Sequence, residues 1–143
     1  MKKKGITISS LIVYLVLFFL FTSFVVMVSS NINNKVFRDR ASVQMQKNAA
    51  KTMTFFLNSA KNSADVNEIG NAIVFSNNDE YTYKENKLFK NDKIILRDLE
   101  KYEYSITDIN ETKKIISLKV KFKKYTKELE KTFEFTVGGG VYE

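Results

Sequence analysis

ITISSLIVYLVLFFLFTSFVVMV, residues 6 to 28, runs for 23 residues without a charge. A helix of that length, rising 1.5 Å per residue, spans about 35 Å, enough to cross the hydrocarbon core of a bilayer with some tilt. A cleaved secretory signal is the competing reading, but its apolar region covers only about 7–15 residues and ends at small side chains. Here Phe24, Val25, Val26 and Met27 keep the run bulky to its end, and only Ser29 and Ser30 follow as small residues. The segment is therefore expected to stay as a membrane anchor. Lys2, Lys3 and Lys4 precede it, while Lys35, Arg38, Arg40 and Lys47 follow it, so the flanking positive charge is nearly even. Length decides the orientation: a long segment crosses largely regardless of charge, so the amino terminus is expected in the cytoplasm and the bulk of the chain outside.

Beyond residue 30 about 110 residues remain, the common size of one domain that buries its own core. Of the 143 residues, 23 are Lys or Arg and 16 are Asp or Glu, and every acid lies after position 38. The outer segment is thus mildly basic, with its charges interleaved, as in Lys127-Glu128-Leu129-Glu130-Lys131. A surface built to hold phosphates along its whole length would concentrate one sign. The sequence has no Cys and no His. That removes disulfides, zinc sites of the usual kind, cysteine nucleophiles and histidine bases. The carboxylates that remain, among them Asp79, Glu80, Asp98, Glu100 and Glu103, are scattered through turn-like or alternating stretches. Gly138-Gly139-Gly140 follows a strand-like run and leads into no helix that would seat a phosphate, so it is expected as a flexible tail or bulge. No catalytic, cofactor or metal site is expected, and neither is an enzyme or a small-molecule substrate.

Helical patterning continues past the apolar run. Val36, Val43, Ala50, Met53, Leu57, Ala60 and Ala64 fall at spacings of 7, 7, 3, 4, 3 and 4 on one face, with Arg40, Gln44, Lys47 and Lys51 on a neighbouring wet face. With no proline anywhere, one helix from Thr7 to about Ser63 is expected. After Asn67 the period changes to two. Strands are expected at 72–75, 80–84, 87–90, 93–97, 102–106, 115–122 and 132–137, with turns at Asn77-Asn78-Asp79, Glu85-Asn86 and Asn91-Asp92. The fold class is α+β: a long N-terminal helix, membrane-spanning in its first half, packed on an antiparallel sheet. Val43, Ala50, Met53 and Leu57 are expected to be buried against Ile116, Leu118, Val120, Phe122, Phe133 and Phe135. Phe37 and Phe55 lie off the helix stripe, and Tyr125 and Tyr142 stand out as aromatics in turn or terminal positions.

The segment Lys2 to Phe18, KKKGITISSLIVYLVLF, resembles the leader and N-terminal helix of the type IV pilin-like family, the pilins and pseudopilins. The later order of Tyr81-Tyr83, Leu96-Arg97, Tyr102-Tyr104 and two long final strands is similar to its minor members. The resemblance implies a pilin-like fold and a leader of residues 1–5, cut by a prepilin peptidase after Gly5. It implies N-methylation of Ile6, the new first residue, and a transmembrane segment over 6–30. The outer half of the helix then covers 31–66 and the sheet region 67–143, with 31–143 as one globular domain. Most family members carry Glu at the fifth mature position, where a carboxylate is taken to pair with a neighbouring subunit's amine. This chain has Ser10 there, which points away from the bulk subunit and toward a minor pilin or pseudopilin.

The function implied is structural: a subunit that initiates or caps a filament of a type IV pilus, a type II secretion system or a competence system. Its partners would be other pilin or pseudopilin subunits, the prepilin peptidase, a membrane assembly platform and the membrane lipid. The alternative is a single-pass anchor displaying a mildly basic β-domain that captures DNA or a cell-wall polymer.

Overall fold

The structure, a computed structural model, describes residues 8–138. Helix α1, Ile8–Lys61, is continuous over 54 residues. Three of its threonines bond back within the helix. Thr22 donates to the Phe18 carbonyl at 2.8 Å, Thr52 to Asn48 at 2.9 Å and Thr54 to Ala50 at 3.0 Å. Asn62 donates a last backbone bond to Asn58 O at 3.2 Å, and Lys61 places a cation where the exposed carbonyls favour one. The chain divides at Asp39 and Arg40 into two units. The first contains the apolar part of α1, and the second contains its remaining turns and every strand.

The second unit holds two antiparallel sheets. β1 (Val66–Ile69), β2 (Ala72–Phe75), β3 (Glu80–Lys84), β4 (Lys87–Lys90) and β5 (Lys93–Leu96) pair in chain order in one. β6 (Leu99–Asn110), β7 (Lys113–Lys124) and β8 (Lys127–Val137) form the other. The expected strands are present, but the single meander becomes two sheets. Asp98, at φ 61°, turns the chain out of the first sheet between β5 and β6. β1 was not anticipated because only Val66 of its four residues is buried, which leaves no alternation to read. The hairpins at Glu85-Asn86 (φ 52° and 60°) and Asn91-Asp92 (φ 49° and 63°) carry the paired left-handed residues of type I′ turns.

Apart from Ala60, which is buried as expected, the face that α1 buries is not the expected one. Ala41, Met45, Ala49, Thr52, Phe56, Ser59 and Ala60 are buried. Val43 is 65 % exposed, Met53 45 % exposed and Ala50 exposed, while Leu57 is half-buried at the edge of the core. The true stripe is displaced by one residue, about 100° around the helix. Most of its side chains are small, and Phe56 supplies the bulk. Opposite it the strand alternation holds as expected: Ile116, Leu118, Val120 and Phe122 are fully buried, Phe135 nearly so, and Phe133 half-buried.

Gly138 corrects a second expectation. At φ +87° it sits so close that a Cβ would collide with the Thr112 carbonyl oxygen and lie 2.9 Å from that of Ala64. It is therefore a close-packed position that admits only glycine, not a loose tail; Gly139, Gly140 and Tyr142 lie outside the described residues.

Phe56→Ala should lower the unfolding free energy by about 3–5 kcal/mol. Val43→Ala and Met53→Ala should each change it by less than about 0.5 kcal/mol. Urea denaturation of the detergent-solubilised chain, followed by circular dichroism, separates the two faces. A larger loss from Val43→Ala or Met53→Ala would reinstate the expected stripe.

Candidate functional site

Two surfaces of α1 and one end of the β-domain bear on function. The first surface is the apolar run. Every large side chain from Ile8 to Val28 lies between 39 % and 79 % exposed. The most apolar 18-residue window of α1 has a mean hydropathy of 2.8, and none of it is buried. The helix is thus long and apolar enough to cross a membrane. Its backbone groups are satisfied within the helix, as a hydrocarbon environment demands. Ser10 sits in its first turns, half-buried. Gly5 and Ile6, the expected cleavage and methylation positions, lie outside the described residues.

The second surface belongs to the C-terminal half of α1, where Val43, Ala50 and Met53 face away from the core. Phe37, in the first unit, is also 58 % exposed. Phe55, in contrast, is half-buried and capped by cations, with the Lys51 and Lys90 ammonium groups 5.7 and 5.8 Å from its ring centre.

A polar latch holds the opposite face of the helix. Ser59 is fully buried; its hydroxyl donates to Asp79 Oδ2 at 2.5 Å and lies 2.7 Å from the Tyr81 hydroxyl, which in turn donates to the Phe55 carbonyl at 3.0 Å. Lys90 Nζ reaches Asp79 at 2.8 Å, and Asn77 donates a further bond at 3.0 Å. Burial works to raise the Asp79 pKa. The bonds from Lys90, Ser59 and Asn77 outweigh it and hold the carboxyl below its ordinary 3.8. Burial likewise pushes the Tyr81 hydroxyl up. For Lys90 burial favours the neutral amine, but Asp79 and Tyr81 together keep its pKa above the usual lysine value.

A second clamp joins the two sheets. Lys114 of β7 meets Asp65 Oδ1 at 2.8 Å, the Val66 carbonyl at 2.9 Å and Asn67 Oδ1 at 2.9 Å, all at the entry to β1. All three ammonium protons therefore have acceptors. The bond from Lys114 lowers the Asp65 pKa.

At one end of the β-domain three turns converge, an arrangement with no signal in the sequence beyond Tyr125 and its lysines. Leu99 N donates to the Asn86 carbonyl at 3.1 Å, and Lys124 Nζ stands 3.6 Å from Asp98. Between the turns lies an open cleft of about 370 Å³, lined by residues 85–87, Arg97, Asp98, Glu100 and Lys123. Among the described residues no group of three His, Cys, Asp or Glu side chains converges as a metal site would require. Comparison with family models, curated proteins and solved structures finds nothing that matches this chain.

The latch has a defined pH dependence. Asp79 is depressed in the folded state, so its contribution is full above 3.8 and fades as pH falls through the lower folded value. Lys90 is raised, so its contribution is full below 10.5 and fades as pH rises through the higher folded value. Asp79→Asn should therefore cost about 1–3 kcal/mol at neutral pH. The gap to the wild type should close as pH falls below the folded value. Urea midpoints across pH measure it, and a gap independent of pH would assign the loss to shape rather than charge.

Proposed function

We propose that this chain is a minor pilin or pseudopilin, a membrane-anchored subunit that initiates or caps an extracellular type IV pilus-like filament and catalyses no reaction. The observation that carries this reading is the division of labour along α1. An apolar stretch long enough for a bilayer runs on, without a break in the helix, into a half that buries small residues under sheets while keeping Val43, Ala50 and Met53 exposed. An anchor alone needs only the first part. Large apolar side chains left on the outer half suit packing against the helices of neighbouring subunits, where their burial would contribute about 1.5–3 kcal/mol each.

Ser10 supports a minor rather than a repeating position. A carboxylate in hydrocarbon is expensive unless paired, so a family member that carries one depends on a neighbour's amine. A hydroxyl places no charge there and is far cheaper to bury. Such a subunit rests in the membrane, or at a filament end, without that ion pair.

Gly5→Val should block removal of the leader in a prepilin and leave an ordinary anchor unchanged. Intact mass spectrometry should show the wild-type chain shortened to begin at an N-methylated Ile6, and the variant at full length. A wild-type chain that keeps residues 1–5 would end the prepilin assignment.

Deleting the chain should reduce the number of filaments per cell while those that form keep their normal width. Quantitative proteomics of purified filaments should find it far below the most abundant pilin. Comparable amounts would remove the minor-subunit role and the account of Ser10 with it.

A further inference from the structure

The cations of the β-domain are unequally used. On the outward face of the three-stranded sheet, Lys119 pairs with Glu130, and Lys121 and Lys123 share Glu100 and Glu128. At the turn end Lys124 pairs with Asp98. Among the described residues, no ion pair engages Lys84, Lys87, Arg97 or Lys127 at this end, where Glu85 is the one carboxylate in the same condition; Lys93, Lys113 and Lys131, also without an ion pair, are dispersed over the rest of the domain. These residues belong to the three converging turns: Lys84 and Lys87 face each other across the β3–β4 hairpin, Arg97 precedes β6, and Lys127 is registered with Lys124 across the β7–β8 turn.

Tyr125 lies on that last turn, between Lys123 of the cleft wall and Lys127. It is 70 % exposed and holds a left-handed backbone at φ 56°. Both features are unfavourable for a bulky aromatic, since the left-handed region suits Gly, Asn or Asp and a ring gains by burial. Among the described residues no hydrogen bond, ion pair or ring contact engages the Tyr125 side chain to offset them. The cleft itself is of mixed character: Glu85, Asp98 and Glu100 present acceptor oxygens inside a rim of cations, with Asn86 beside them.

We propose that this end of the domain binds single-stranded nucleic acid. The chemistry separates that ligand from other polyanions. Lys84, Lys87, Arg97 and Lys127 suit phosphodiester groups. The exposed ring of Tyr125 offers a platform on which an unpaired base stacks. Inside the cleft a carboxylate repels phosphate but accepts hydrogen bonds from an exocyclic base amine, as Asp and Glu do with cytosine. A featureless polyphosphate or teichoic chain would meet those carboxylates unfavourably and gain nothing from the ring. A nucleotide uses all three. The site is independent of whether the chain enters a filament, because it lies wholly on the turns of the β-domain.

The test uses the full chain in lipid nanodiscs and fluorescence anisotropy of a labelled oligocytidine of about 12 nucleotides. Saturable binding at low salt that weakens steeply as salt rises is expected. Tyr125→Asn, which relaxes the turn's backbone, should weaken binding by at least about fivefold. Arg97→Gln should shallow the dependence of log affinity on log salt by about one. Unlabelled oligocytidine should displace the probe far better than inorganic polyphosphate at equal phosphate, and oligothymidine, which lacks the exocyclic amine, should compete less well than oligocytidine. No saturable binding, or an affinity unchanged in Tyr125→Asn, would overturn the proposal. So would displacement by polyphosphate equal to that by oligocytidine, because it would mark a general anion surface. Equal competition by oligothymidine would overturn the role given to the cleft carboxylates.

Discussion

Phe56 is the contact on which the β-domain depends. Its ring stacks 4.1 Å from that of Tyr81 and 6.0 Å from that of Phe135, and meets Phe75 edge-on at 6.2 Å. Phe75 and Tyr81 belong to the five-stranded sheet and Phe135 to the three-stranded one, so a single helix side chain joins both. No surface ion pair substitutes for it: an exposed pair contributes about 0–1 kcal/mol, whereas removing a buried aromatic ring costs about 3–5 kcal/mol. β8 shows the consequence along its length. Its first residues are largely exposed, and it becomes buried only where Phe135 and Val137 reach the helix side of the core.

Apolar packing alone would not choose this face of α1, because Val43, Met53 and Leu57 offer more hydrocarbon than Ala49, Thr52 and Ser59. The polar latch settles the rotation. Turning the helix by one residue would withdraw Ser59 from Asp79, and both Ser59 and the Phe55 carbonyl from Tyr81, leaving the buried Tyr81 hydroxyl without a partner at about 1–3 kcal/mol. It would also take Phe56 out of its aromatic nest. Together these losses exceed the about 1.5–3 kcal/mol available from burying one further Val or Met. Hydrogen bonds and the Phe56 ring thus fix which side chains face inward, and Val43 and Met53 are left on the outside as a consequence.

That outcome explains what the sequence disclosed and what it did not. The length of α1, the alternation of Ile116 to Phe122 and the turns at Glu85-Asn86 and Asn91-Asp92 were legible, because period and turn chemistry are local properties. The buried face of the helix was not, since a stripe made mostly of Ala, Thr and Ser carries little hydrophobic signal and the groups that select it, Asp79 and Tyr81, lie 20 and 22 residues from Ser59. Gly138 was misjudged for a related reason: its constraint is the backbone of Thr112 and Ala64, distant in sequence and close in space. Of the candidate site, the long apolar run and the turn position of Tyr125 were visible in the chain. The convergence of three turns around a cleft was not, as it arises from the chain's passage between two sheets at Asp98.

The same passage determines where the domain's positive charge gathers. In the three-stranded sheet, register places the outward lysines of β7 beside glutamates of β6 and β8, so their fields cancel within a few ångströms. At the turn end, register instead sets Lys84 opposite Lys87 and Lys127 opposite Lys124, like charge against like. Lys84, Lys87, Arg97 and Lys127 outnumber the acid Glu85 that shares their unpaired state, and at physiological ionic strength the resulting local excess of positive charge reaches only about 8 Å before screening. A ligand would sense that local excess rather than the modest net charge of the whole segment. The interleaved charges that make the chain look unsuited to polyanions are for the most part the ones already spent within the sheet, and the arrangement of strands, more than the composition, decides what its surface can attract.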